Sequence, residues 1–320
     1  MRGLVSSFSN IGTTIVEHAV LSSLPKLGVG LGFRPALRSD LFRHREQVDF
    51  LEIIADHYLD APAEKERELE LLAANFTLVP HGLDLSLGSA EGVDRAYLRK
   101  LARLVRRLSP PWWSEHLAFT RAGGQNIGHL APLPFCRDAV EAVCRNVAEV
   151  RQEIEAPLIL ENITYTVRLP GAIQRERFSL AGAEMSEAGF LAEVLERTDC
   201  GLLLDVTNLH TNAVNHGYDP LVFLRQLPRE RVVQLHFTGG HWRNGVLVDS
   251  HSQPTAPEVW ELMENVLARA PVKGIVLERD ENLPPFGELL SELERAREIW
   301  RPAAKGRKHE SIGIRQGGGA

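Results

Sequence analysis

The sequence predicts one α/β domain, a single (β/α)8 barrel of the TIM type. Three observations lead there. Short apolar, β-rich runs recur along the chain, each followed by a longer charged segment of helical period. The runs are apolar nearly throughout instead of alternating, as expected of parallel strands buried on both faces beneath helices. Eight such runs precede the last helical segment, a number that suits a closed barrel better than an open doubly wound sheet.

In chain order the predicted strands are Leu27–Phe33, Asp49–Ile54, Phe76–Pro80, Trp112–Phe119, Pro157–Asn162, Gly201–Val206, Arg231–Phe237 and Gly274–Glu278. Gly28, Gly30 and Gly32 lie inside the first, where a missing side chain lets something approach the backbone closely. No G-x-G-x-x-G leads from that strand into a helix, which disfavours a dinucleotide site. Helical period fits Ala63–Ala74, Val93–Leu108, Pro134–Glu155, Gly189–Arg197, Pro220–Gln226, Pro257–Arg269 and a last helix at Phe286–Trp300. Residues 1–26 form an N-terminal extension, 27–300 the catalytic barrel, and 301–320 a basic, then glycine-rich tail expected to be disordered.

Composition narrows the class. The chain has 320 residues, 44% hydrophobic and 24% charged, close to the soluble globular average. Its net charge of -6 argues against a phosphate-neutralising nucleic-acid binder. Cys136, Cys144 and Cys200 have no metal-finger spacing and read as core residues of a reducing compartment. Glu17 and His18 interrupt the N-terminus before a signal-peptide apolar region forms, and no apolar run nears the roughly 18 residues of a membrane span. A cytoplasmic protein with no membrane partner is expected.

Barrel active sites lie at the carboxyl ends of the strands, so functional polar residues should close the apolar runs. They do. His57 follows the second strand, and His81 closes the third. Glu115 and His116 close the fourth, Glu161 and Asn162 the fifth, Asp205 the sixth, His236 the seventh and Glu278 the eighth. The segment after the seventh, read as a long loop, adds His241, Asp249 and His251. A lone His beside an apolar strand is more often structural than ligating, and a lone carboxylate is often a cap. Seven consecutive strands ending this way put all of these groups around one mouth. Carboxylates so crowded repel unless cations compensate them, and divalent metals are the simplest compensation.

The donor set is imidazole, carboxylate and amide oxygen without thiolate. That excludes a Cys-type zinc site and suits Fe, Mn or Zn. The donors outnumber the needs of one ion, so two or three metals are expected, with Glu115 as a candidate bridge. Asn208, Asn212 and Asn215, on what reads as a loop, can orient ligands or bind substrate backbone, or simply make turns and caps. Gly239-Gly240-His241-Trp242 reads as a flexible loop carrying a substrate lid, and Arg34 as a partner for a substrate carboxylate or for a surface ion pair.

The segments Phe50–Asp60, His81–Gly88, Ser114–Phe119, Leu160–Asn162, Asp205–Pro220, Gln234–Trp242, Asp249–Pro254 and Leu277–Asp280 resemble, in order, the multinuclear non-heme iron-dependent oxidative enzymes. That family includes the iron oxidase of methanobactin biosynthesis. The resemblance implies a xylose-isomerase-like barrel holding two or three irons, in mixed Fe(II)/Fe(III) states, with O2 as co-substrate. It implies oxidative modification of a ribosomally made precursor peptide, often at cysteine, with a partner protein that recognises the leader. Its implied ligands are His57, His81, Glu115, Asn162, Asp205, His236, Asp249, His251 and Glu278, with His81, Glu115, Asp249 and His251 nearest the chemistry. From their places beside these ligands in the chain, Arg34, Asn208, Asn212, His241 and Trp242 are read as candidates to face substrate. This chain departs from many relatives in having Ile54 where they carry a His.

The competing reading is a zinc or manganese isomerase or hydrolase on the same barrel, such as a sugar isomerase or an abasic-site endonuclease. An isomerase would be expected to carry a Lys near its metals, and no Lys closes any strand here. The endonuclease would want a basic groove.

Overall fold

The computed structural model describes residues 20–167 and 185–313, without the side chains of 302–313. Its strands in chain order are β1 (Gly28–Gly32), β2 (Leu51–Ile54), β3 (Leu78–Gly82), β4 (Trp113–His116), β5 (Phe119–Ala122), β6 (Gln125–Ala131), β7 (Leu158–Glu161), β8 (Gly201–Asp205), β9 (Val232–Phe237), β10 (Gly239–Arg243), β11 (Val246–Gln253) and β12 (Gly274–Leu277). The helices are α1 (Arg38–Arg43), α2 (Ala63–Ala73), α3 (Arg95–Leu108), α4 (Arg137–Glu153), α5 (Glu187–Thr198), α6 (Val206–His216), α7 (Pro220–Gln226), α8 (Pro257–Arg269) and α9 (Phe286–Gly313).

A closed parallel barrel runs β1-β12-β9-β8-β7-β4-β3-β2 and back to β1. Each barrel strand falls on one of the eight apolar runs. The remaining strands form two antiparallel hairpins, β5–β6 and β10–β11, at the carboxyl end of the barrel.

Helix starts follow their capping residues. Asp94 accepts from the backbone N–H of Ala96 and Tyr97 at the head of α3, and Asp219 from Leu221 at the head of α7. Helix α3 then buries Leu98, Leu101, Ala102 and Val105, one stripe at three- and four-residue spacing, and ends in left-handed Ser109. Pro at the first turn begins α7 and α8, where its missing N–H costs nothing.

Side chains alternate across a strand, so every second residue points into the barrel. At the closed end the inward set is apolar: Phe50, Val79, Trp112, Ile159, Leu203, Val233 and Val276, sealed by Leu21 and Leu24 of the N-terminal extension. Small residues make this possible. A Cβ on Gly30 would lie 2.8 Å from the Phe50 ring, and one on Gly274 would lie 3.2 Å from Cζ2 of Trp112, so both glycines give space to aromatic fillers. A second apolar layer fills the space between strands and helices, with Trp113, Leu160, Phe190, Leu235 and Met263 fully or nearly fully buried.

Three expectations need correction. The Asn-rich stretch after Asp205 is helix α6, not a loop. The segment expected as a flexible loop with a lid is hairpin β10–β11, fastened by Asn215, whose side chain bonds the backbone of Leu247 in both directions. The last helix passes the expected boundary at Trp300 and runs to Gly313. The readings made on residues 1–19 and 314–320 lie outside the described residues.

Candidate metal centre

Two positions after the apolar plug, the inward face turns polar. On β3 the sequence Val79, Pro80, His81 brings His81 inward, and on β7 Ile159, Leu160, Glu161 brings Glu161 inward. Likewise Leu203 leads to Asp205 on β8, and Val276 to Glu278 just past β12. On β4 the inward series is Trp112, Ser114, His116. Strand β9 shifts register against β8 between Leu202 and Leu203, skipping one residue, and after that irregularity Gln234 and His236 face in. Hairpin β11 adds Asp249 and His251, and Asp280 follows Glu278.

Glu161 is the hub. Its Oε2 lies 3.2 Å from Nε2 of His81 and 3.4 Å from Nε2 of His116, and its Oε1 lies 3.3 Å from Nδ1 of His236. Glu278 is the second hub, with Oε2 3.2 Å from Nδ1 of His236 and 3.6 Å from Nδ1 of His251. Among the described residues, three groups bring ligand atoms within 4.8 Å of one another: His81, His116 and Glu161; Glu161, Asp205, His236 and Glu278; His251, Glu278 and Asp280. Glu161 and Glu278 each belong to two groups, the positions from which a carboxylate bridges neighbouring ions.

The donors fit metal on their own chemistry. Three of the imidazoles, those of His116, His81 and His236, are held from outside by one ring nitrogen. Nδ1 of His116 meets the Gly82 carbonyl at 3.2 Å, Nδ1 of His81 meets Oγ of Ser114 at 2.7 Å, and Nε2 of His236 meets Glu52 at 2.8 Å. The other nitrogens turn to Glu161. Asp205 divides its work. Its Oδ1 caps α6 by accepting from Thr207 and Asn208, while Oδ2 is buried with no hydrogen-bond partner. Glu161 Oε2, His236 Nδ1, Asp249 Oδ1 and His251 Nδ1 are buried without a hydrogen bond and meet only charged groups of the same cluster. Orphaned donor atoms of this density at one spot ask for cations.

Electrostatics say the same. Burial pushes the Asp205 carboxyl up, and Asp249 and Glu161 push it further, to about 7. Burial also works against the Glu161 carboxylate, but His236, His116 and His81 outweigh it and hold the group at about 2. Burial opposes the charged form of His116, yet Glu161 and Glu115 raise it to about 9. For His251 the carboxylates Glu278 and Asp249 overcome burial and carry it well above its ordinary range. Protons here do the neutralising that metal ions can do.

The residues singled out in the sequence fall in different places. His81, Asp205, His236, His251 and Glu278 converge in the three groups, and Asp249 adjoins them with Oδ1 3.0 Å from Nε2 of His251. Glu115 faces away from the barrel axis, where Oε1 accepts from His116 N and Oε2 crowds Gly82. Asn162 spends its amide on the backbone of Asp205, donating to its carbonyl and accepting from its N–H. His57 is exposed on the turn after β2, and Ile54 is the register partner of His81. Asn208 donates to the Asn162 carbonyl, and Asn212 ties down Ile163 and Tyr165. Both therefore brace the segment after β7. His241 is exposed against Ser250, and Trp242 is 63% exposed on the hairpin. Arg34 reaches Glu278 at 3.0 Å and pairs with Asp280. Sequence reasoning named His116 and Glu161 without giving them a ligand role, and passed over Glu52 and Asp280. The alternation from Ile159 to Glu161 and from Ser114 to His116 was the available signal.

Comparison with known proteins gives consistent results. A sequence profile described as RiPP precursor modification enzyme MbnB/TglH/ChrH matches residues 28–301. A Caulobacter vibrioides protein designated UPF0276 is 36% identical over 280 residues, covering 87% of this chain and 96% of the relative. A Streptomyces avermitilis protein of the same designation is 39% identical over 280 residues, covering 85% of this chain and 55% of that longer protein. Among solved structures, a xylose isomerase domain protein from Planctomyces limnophilus aligns with a TM-score of 0.51 at 15% identity, covering 88% of this chain and 99% of the other. That likeness concerns the fold: a xylose-isomerase-like barrel.

Proposed function

This chain belongs to the MbnB/TglH/ChrH family of RiPP precursor modification enzymes, and on that premise we propose that it is an iron- and O2-dependent oxidase acting on a ribosomally made precursor peptide, at a cysteine. The observation that carries the metal part is the sharing of Glu161 and Glu278 among three donor groups. His81, His116 and Glu161 would hold one ion, and Glu161, Asp205, His236 and Glu278 a second. His251, Glu278 and Asp280, with Asp249 beside them, would hold a third. In this ligand set Glu161 and His116 take the roles that the resemblance assigned to Glu115 and Asn162, and His57 has none.

Iron bound there supplies one-electron redox chemistry and O2 activation; imidazole and carboxylate donors of this kind suit it. The chain's own residues do the rest. Asp205 and Glu278 bring negative charge that offsets the cations, and the buried walls exclude water and stray reductants. Arg34, anchored by Glu278 and Asp280 at the edge of the centre, presents its guanidinium to an anionic group of the peptide. Hairpin β10–β11 offers the exposed ring of Trp242 as one aromatic contact for the peptide chain. A partner protein that binds the leader would raise the local concentration of the core peptide. No helix among the described residues is long and apolar enough to cross a membrane, and the free cysteines support a cytoplasmic, reducing setting.

Anaerobic purification followed by metal analysis and Mössbauer spectroscopy tests this reading. Two or more irons per chain that change valence on exposure to O2 are expected. Stoichiometric zinc with no iron requirement would sink it.

A further inference from the structure

Between the apolar plug and the metal centre lies one polar layer, made of Gln234 and Glu52 and joined from below by the indole N–H of Trp112, a plug residue. Trp112, Gln234 and His236 are 0% exposed and Glu52 3%. Nothing in the ligand set uses these groups, yet their hydrogen bonds run in one direction and end on a ligand. We infer that Glu52 is a positioning residue: it holds His236 with Nε2 protonated and Nδ1 free to bind metal, and Trp112 fixes Glu52 in that role through Gln234. The inference rests on the metal-centre reading above.

The direction is set by the group furthest from the metal. An indole N–H only donates. Nε1 of Trp112 lies 2.7 Å from Oε1 of Gln234, so the amide oxygen of Gln234 must face the indole. The amide nitrogen then faces the other way, 2.6 Å from Oε2 of Glu52. An ionised carboxylate only accepts. Its Oε1 and Oε2 lie 2.8 Å and 3.0 Å from Nε2 of His236, so that nitrogen carries the hydrogen. One contact competes, because Nε2 of Gln234 also lies 3.1 Å from Nε2 of His236. If His236 accepted there, its lone pair would point at both carboxylate oxygens, whereas donating to the carboxylate makes a charge-assisted bond. With Nε2 committed, Nδ1 is the ring atom that faces Glu161 at 3.3 Å and Glu278 at 3.2 Å, where a cation would lie between the imidazole and the two carboxylates.

The layer is built by the fold. Gly274 leaves room for Trp112, and the register irregularity in β9 turns Gln234 and His236 to the same inward side. Glu52 is itself buried, so its carboxylate stays out of water. A carboxylate behind a ligating imidazole fixes its ring and raises its basicity.

Glu52→Gln tests the assignment. Glutamine keeps the size but offers one acceptor and one donor. Either its NH2 meets the NH2 of Gln234, or it meets Nε2 of His236 and moves the ring hydrogen to Nδ1, where a metal must bind. Full-length chain, stripped by chelator, is titrated with Co(II) alone. The readouts are ions per chain, affinity, the ligand-field bands and the melting temperature of the metal-free protein. Glu52→Gln is expected to weaken one ion by about 10–100-fold and alter its bands, with the metal-free protein still melting cooperatively but at a lower temperature. Trp112→Phe keeps the ring and removes only the N–H, and should weaken the same ion by about 2–10-fold. Wild-type affinity and bands in Glu52→Gln overturn the inference while leaving the metal centre standing. Should Glu52→Gln not melt cooperatively, Trp112→Phe decides alone, unchanged affinity and bands overturning the inference and the smaller loss supporting it. A wild-type chain that takes up no Co(II) overturns the metal-centre reading and this inference with it.

Discussion

Glu161 Oε1 lies 3.3 Å from Nδ1 of His236 while its Oε2 lies 3.2 Å from Nε2 of His81, so one carboxylate joins imidazoles from β9 and β3, on opposite sides of the barrel. Glu115, its near neighbour across the β4–β7 pairing, meets none of these rings on the inward side.

The contrast between those two glutamates is directly testable. Glu161→Gln should lower metal content at both positions that share the carboxylate and cut activity about 100-fold or more, beyond the usual effect of an outer partner. Glu115→Gln should keep its metal. Elemental analysis of the two purified variants, beside their circular dichroism, checks this; a fully loaded Glu161→Gln would refute the hub.

The metal-free chain should lose stability as pH rises from about 6.5 to 9. Glu161 and Glu115 overcome burial and raise His116 to about 9 in the fold, above its ordinary 6.5. A group raised in the folded state contributes stability that is fully present below the unfolded value and lost as pH passes the folded one. Metal replaces that proton, so the loaded protein should not show the decline. It should instead gain about 2.7 kcal/mol when free metal stands at 100 times its dissociation constant. Melting curves across this range, with chelator and with metal, would show parallel profiles if the reading were wrong.

Asp94 heads α3 by accepting from Ala96 N and Tyr97 N at 2.8 and 3.2 Å. Asp94→Ala should cost about 1 kcal/mol at neutral pH, and Asp94→Asn much less, because its amide oxygen still accepts. The hydrogen bond from Tyr97 N leads the causes that hold the carboxyl below its ordinary 3.8. The group's contribution is therefore present above that value and fades as pH falls through the lower folded value. Denaturant melts at pH 7 and in the acid range check both statements, and an Asp94→Ala as stable as wild type at pH 7 would remove the cap from the account.

Leu21→Ala should destabilise the chain by about 2–5 kcal/mol, since its side chain is 5% exposed and helps seal the barrel's closed end. Metal content at saturation should not change, because Gln234 and Glu52 lie between the plug and the donors. Calorimetry with metal analysis tests the two halves separately.

The barrel was legible because its strands are continuous apolar runs, and its helices because their stripes repeat with a clear period. The site was legible as a ring of strand ends and blurred within it. Reading residues as strand-closing gives Glu115 and His116, or Glu161 and Asn162, equal standing. Alternation separates them, since Ile159 and Glu161 share a face while Leu160 and Asn162 share the other. His236 needed more, because the register irregularity in β9 depends on pairing with β8 and leaves no mark in the sequence. Helix α6 was hidden by its asparagines, which are poor helix formers in isolation. Asp205 caps that helix, and Asn208 and Asn212, one turn apart, brace the segment after β7. His57 was misleading because the inward place on β2 belongs to Ile54, and nothing in one sequence says that a neighbouring His has turned outward.

The apolar seal of Leu21, Leu24 and the ring of inward side chains above them has a kinetic meaning as well. Among the described residues the base is closed, which leaves the mouth at the carboxyl ends of the strands as the doorway. Peptide must back out the way it came, so the spent chain and the next one contend for the same opening, and turnover is coupled to release at that mouth. Inhibition by modified peptide, competitive with the unmodified one, is the signature such a closed base leaves on the rate law.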